Sequence, residues 1–82
     1  APLLSWALRV AAPEGVMAGP LGELAARHRG VSMGSYPFYR AGAGSTLVIR
    51  SQDRAALEAA VLELRAMLAG LGVSDISETP PG

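Results

Sequence analysis

The stretch STLVIRSQDRAALEAAVLELRAMLAGLG, residues 45–72, decides the fold, because two periodicities meet inside it. Thr46, Val48 and Arg50 alternate with Leu47 and Ile49, the period of two that a strand with one buried face requires. Past Asp53 the period changes. Leu57, Val61, Leu64, Leu68 and Leu71 recur at steps of three and four, one apolar stripe along a helix. Asp53 or Ser51 can cap its first turn with a side-chain oxygen. Gly72 suits the left-handed residue that ends it better than Gly70 does. A strand running straight into an amphipathic helix is half of an α+β plait, and the rest of the chain supplies the other half.

Working outward, Leu4, Trp6, Leu8 and Val10 alternate with Ser5, Ala7 and Arg9, which predicts a first strand. The turn residues of APEG, 12–15, end it. A helix is expected from about Val16 to His28, with Val16, Met17, Leu21, Leu24 and His28 on one side. Pro20 restricts it, since proline fits only a first turn, so the helix should begin near Val16 or at Pro20 itself. Val31 to Tyr36 reads as a second strand with Val31 and Met33 inward, and Pro37 marks it as an edge strand or ends its pairing. VSDISE, 73–78, can add a short fourth strand, and residues 79–82 read as a disordered tail. The expected order, β-α-β-β-α with a short last β, describes a ferredoxin-like plait: an antiparallel sheet with two helices on one face.

Composition bounds the function. Eighty-two residues, half of them apolar, make one small domain, spanning residues 1–78. A core of that size leaves little room for a deep catalytic cleft. There is no cysteine, hence no disulfide, thiolate metal site or thiol nucleophile, which suits a reducing cytoplasm. The seven basic residues are all arginine and balance seven acidic ones. The lack of lysine, with abundant Ala and Gly, reads as the coding bias of a GC-rich bacterial genome. A neutral chain lacks the basic footprint of a nucleic-acid binder. Its apolar runs are too short to span a membrane. The chain starts without methionine, and reads as a piece of a longer protein.

The motifs carry little chemistry. GAGS, 42–45, has the glycines of a phosphate loop, but it leads into a strand where that motif needs a helix. GPLG, 19–22, has the glycine spacing of a KH-type loop that clamps a nucleic-acid backbone, yet holds no basic residue. Tyr36 and Phe38 are expected to close one end of the core, with Tyr39 and Arg40 as an exposed shoulder. An RNA-recognition surface would want aromatics on the third strand, which offers Thr46, Val48 and Arg50 instead. His28 stands without a carboxylate cluster, so neither a metal site nor a triad is indicated. Asp53, Glu58 and Glu63 read as a solvated helix face, and Ser35 and Ser45 have no base beside them in sequence. No catalytic, cofactor-binding or metal-binding residue is assigned. The candidate interaction surface is Tyr36, Phe38, Tyr39, Arg40 and Arg50.

Two runs carry a resemblance: GVSMGSYPFYR, 30–40, and GSTLVIRSQDRAALEAAVLELRAML, 44–68, preceded by PLLSWALRV, 2–10. Together they resemble the C-terminal segment of competence/damage-inducible protein A-like proteins, which carry a MoaB/Mog-type molybdopterin-binding domain, and of their FAD-synthase-associated relatives. The likeness covers residues 2–72. It implies an accessory domain whose partner is the N-terminal molybdopterin-binding-type domain of the same parent chain, or a second subunit. The parent would handle molybdopterin-type ligands or hydrolyse FAD or ADP-ribose pyrophosphates, with the ligand-binding residues outside this chain. A small-molecule regulatory module of the ACT type and a KH-type single-strand binder are the alternatives.

Overall fold

The computed structural model describes residues 2–38 and 44–82. The elements run β1 (Leu4–Val10), α1 (Glu14–Arg27), β2 (Ser32–Phe38), β3 (Gly44–Ser51), α2 (Arg54–Gly70) and β4 (Ile76–Thr79). The strands form one antiparallel sheet in the order β2-β3-β1-β4. This is the ferredoxin-like plait that the two periodicities predict, and the fourth strand forms. Thr79, in the stretch read as tail, pairs with Ala7.

Register fixes which residues meet the helices. Trp6 stands opposite Ile49, Leu8 opposite Leu47, and Met33 opposite Ile49 on the other side. Leu8, Val10, Leu47 and Ile49 are buried beneath Met17, Leu21 and Leu24 of α1 and Leu57, Val61, Leu64 and Leu68 of α2. Each such side chain taken out of water contributes roughly 1.5–3 kcal/mol before the entropy of ordering it.

Two buried serines, one near each end of β3, hold the connections. Ser45 Oγ donates to the Ala12 carbonyl at 3.2 Å, fixing the turn after β1. Ser51 Oγ donates to the Gly30 carbonyl at 2.9 Å and accepts the Asp53 N–H at 3.1 Å. A hydroxyl buried this deeply needs such partners, since leaving one unpaired costs about 1–3 kcal/mol.

Helix α2 starts and stops as its residues dictate. Asp53 Oδ1 accepts the N–H groups of Ala55 and Ala56 at 3.0 and 3.4 Å. At the other end Gly72 takes φ +78°, its N–H reaching Ala69 O and that of Val73 reaching Leu68 O. This paired closure uses a left-handed residue, which glycine adopts without a Cβ clash. The turn also takes Leu71 off the buried stripe, and it is 39 % exposed.

Helix α1 departs from expectation. It starts at Glu14, so Pro20 lies inside it, beyond the first turn. Proline has no N–H to give the Val16 carbonyl, but Val16 is 46 % exposed, on the water side rather than in the core. Gly19, lacking a Cβ, also removes the clash that proline makes with the residue before it. The GPLG tetrapeptide is thus helical and cannot be a KH-type loop. No helix among the described residues is long and apolar enough to cross a membrane.

Candidate functional site

With both helices on one side, the other side of the sheet is open, and parity along the strands decides what it displays. Met33 and Ser35 pair with Ile49 and Leu47 on the helix side. Gly34, Tyr36 and Phe38 therefore share the opposite face with Val48, Thr46 and Gly44. Tyr36 and Phe38 do not close the core, contrary to the expectation from their hydrophobicity. Tyr36 is 53 % exposed.

Glycines seat both rings. A Cβ on Gly34 would stand 3.3 Å from the Tyr36 hydroxyl, so the phenol lies back along its own strand. A Cβ on Gly44 would strike the Phe38 ring and the Val10 carbonyl oxygen, the latter at 2.6 Å. Phe38 is covered in turn by Arg9, whose guanidinium carbon lies 4.1 Å from the ring centroid. A cation over an aromatic face is attracted by the ring quadrupole and keeps its charge available. The glycine signal is visible in the sequence, but the partnership of Arg9 with Phe38 joins distant strands and is not.

Arg50 lies on the same face, opposite Ser5 on one side and Ser32 on the other. No acidic residue occupies the open-face positions of the four strands; those positions carry Arg9 and Arg50. Three glutamates are engaged elsewhere. Glu58 pairs with Arg54, Glu63 with Arg27 and His28, and Glu78 with Arg65. Hydrogen bonds from His28 and then Arg27 hold the Glu63 carboxyl below its ordinary range. The Arg65 hydrogen bonds do the same for Glu78, helped by the Trp6 indole. The His28 ring joins the end of α1 to the middle of α2 through Glu63. The His28 backbone N–H reaches Ala25 O.

Of the five residues expected to form an interaction surface, the open face carries Tyr36, Phe38 and Arg50, with Phe38 and Arg50 at opposite ends of the β2–β3 pair. Tyr39 and Arg40 lie outside the described residues, as do Gly42 and Ala43 of the glycine stretch. Arg9 is the member sequence reading missed. A cleft of about 450 Å³ adjoins the Arg50 end, between the start of β2 and the start of α2, with Arg29, Ser32 and Asp53 in its walls. Among the described residues no group of three His, Asp or Glu could hold a metal.

The comparisons with known proteins agree with this architecture. No curated protein sequence matches the chain. Among solved structures, a de novo designed protein, Foldit4, superposes with a TM-score of 0.68 over 98 % of this chain and 97 % of its own. At 20 % identity that likeness concerns the fold alone. The family model described as "FAD synthase, middle domain" matches residues 2–76. This is the FAD-synthase branch of the resemblance carried by GSYPF and the α2 stripe; the match says nothing of the competence-protein or molybdopterin branch. By a match over nearly its whole length, the chain belongs to the FAD synthase middle-domain family.

Proposed function

We propose that this chain is a non-catalytic accessory domain that docks through its open sheet face onto the neighbouring domain of a longer, cytoplasmic protein. The observation that carries the reading is the face itself: Tyr36 half-exposed, Phe38 seated on Gly44 under Arg9, and Arg50 beyond, with no acidic residue at the open-face positions. Tyrosine and arginine concentrate at the energetic centres of protein contacts, because each offers a large apolar surface with a polar end. A family described as a middle domain supports neighbours on the same chain.

The partner that fits the resemblance is an N-terminal domain of molybdopterin-binding type, in a parent that acts on molybdopterin-type ligands or on FAD or ADP-ribose pyrophosphates. Chemistry then belongs to that partner, and this domain fixes its position or its assembly. The test is removal of residues 2–79 from the parent protein. Lost activity or altered assembly supports the reading; full activity with unchanged assembly overturns it. In the intact parent, Tyr36→Ser with Phe38→Ser should raise amide hydrogen exchange on the partner surface, leaving the helix side of this domain protected.

A further inference from the structure

The cleft beside Arg50 holds more charge than the docking face, which uses Arg50 alone of its residues, accounts for. Six arginines lie among the described residues, and three of them are paired: Arg27 with Glu63, Arg54 with Glu58, Arg65 with Glu78. Arg9 rests on Phe38. The remaining two, Arg29 after α1 and Arg50 in β3, stand in the walls of this one cleft, and no carboxylate among the described residues pairs with either. The acid in the cleft wall is Asp53, whose Oδ1 is turned onto the α2 backbone by two accepted N–H groups. The Ser51 hydroxyl is likewise spoken for, bridging Gly30 O and Asp53 N–H. The cleft thus carries two guanidinium groups with no ion-pair partner against the one Asp53 carboxylate, a surplus of positive charge.

An aromatic ring lies beside them. Ser32 lines the cleft and pairs with Arg50 across the sheet, and Gly34 is the next residue along the same face. The Tyr36 ring leans back over Gly34, toward Ser32, and is half-exposed. From Gly34 to Ser32 is two strand residues, about 7 Å. A half-exposed ring thus lies over the strand position next to the Ser32 wall of the cleft that Arg29 and Arg50 line.

We infer that this end of the sheet is a nucleotide site, with a ring stacked on Tyr36 and a phosphate held in the cleft by Arg29 and Arg50. Arginine's planar fork matches phosphate oxygens two at a time, and ring stacking on an aromatic tolerates many bases. The cleft volume lies within the range of small-ligand sites, about 300–1,000 Å³. The ligand is a free mono- or dinucleotide and not a strand of nucleic acid. A strand needs a continuous basic track, and this chain has a net charge of zero. The site shares Tyr36 and Arg50 with the proposed docking face, so a neighbouring domain seated there would compete with the nucleotide; a face that meets no other domain can still take one.

The experiment is an amide chemical-shift titration of the chain with ADP, with parallel titrations of inorganic phosphate and a six-nucleotide single strand. ADP should move the amides of Gly30, Ser32, Gly34 and Arg50. Arg29→Gln and Arg50→Gln should each weaken ADP about tenfold. Tyr36→Leu should weaken ADP about tenfold while leaving phosphate unchanged. All three side chains are at least partly exposed, so the variants should keep the wild-type pattern of core methyl shifts. No movement of these amides at millimolar ADP overturns the inference. So does phosphate binding as tightly as ADP with Tyr36→Leu silent, which would leave a plain anion patch. Tighter binding of the oligonucleotide than of ADP, falling steeply with salt, would also overturn it in favour of a strand.

Discussion

The Trp6 indole N–H donates to Glu78 Oε1 at 3.0 Å, joining the first strand to the last across 72 residues of sequence. Arg65 of α2 completes the group, reaching both oxygens of Glu78 at 2.8 Å while its guanidinium carbon stands 5.5 Å from the Trp6 ring centroid. Three elements meet there, and β4, only four residues long, depends on it. Trp6→Phe should keep the packing but lose the donor, costing about 1 kcal/mol. Trp6→Ala should cost two or three times as much, less than a fully buried indole would, because Trp6 is only partly buried. Urea denaturation of both variants checks this; equal costs would show that the hydrogen bond contributes nothing.

Gly44→Ala should destabilise the fold by about 1–3 kcal/mol, because the new methyl meets the Val10 carbonyl as well as the Phe38 ring, and the carbonyl belongs to a paired strand. Gly34→Ala meets only the far end of the Tyr36 side chain, which can swing away, so its stability should change little. The contrast is read from the two denaturation midpoints. Equal effects would mean that neither the Val10 carbonyl nor the Phe38 ring is held against Gly44.

Asp53→Ala removes the acceptor of two N–H groups at the start of α2 and should cost about 1 kcal/mol. Asp53→Asn or Asp53→Ser, which keep an acceptor, should cost at most half of that. A thermal melt of the three variants measures the difference, and no separation between Ala and Asn would deny Asp53 its capping role.

Stability should fall as the solution is acidified below the ordinary carboxylate range. Glu63 and Glu78 both have folded-state values held below 4.5, by His28 and Arg27 in one case and by Arg65 and Trp6 in the other. A carboxyl whose folded value is depressed contributes stability above its unfolded value, and that contribution is lost as pH drops through the folded one. Glu63→Gln and Glu78→Gln should each flatten the slope of stability against pH below about 4.5 and together nearly abolish it. Denaturant midpoints from pH 7 to pH 3 test this; an unchanged slope in the double variant would place the acid sensitivity elsewhere.

Much of this architecture is legible in the chain. The alternation through Leu47 and Ile49, the α2 stripe, the Asp53 cap and Gly72 are local patterns, and each stands where its own residues put it. In helix α1 the proline rule yields to its neighbours: Gly19 before Pro20 and an exposed Val16 make the helical position tolerable. The rings of β2 teach something different. Counting by two from the inward Met33 already places Tyr36 and Phe38 on the far face, so strand parity outranks side-chain hydrophobicity. Arg9 over Phe38, His28 beside Glu63, and Arg29 and Arg50 in the walls of one cleft join residues far apart in the chain. No window of sequence shows them, because only the strand order and the packing of the two helices bring them together.

The pairing of β4 against β1 has a consequence for how the polypeptide passes through this domain. β1 runs away from Leu4 and β4 runs back toward it, Ile76 lying beside Val10 and Thr79 beside Ala7. Residues on the two outer sides of the fold therefore leave from the same end of the sheet. A segment entering β1 and a segment leaving β4 would thus stand side by side, a double stem from which the domain would project.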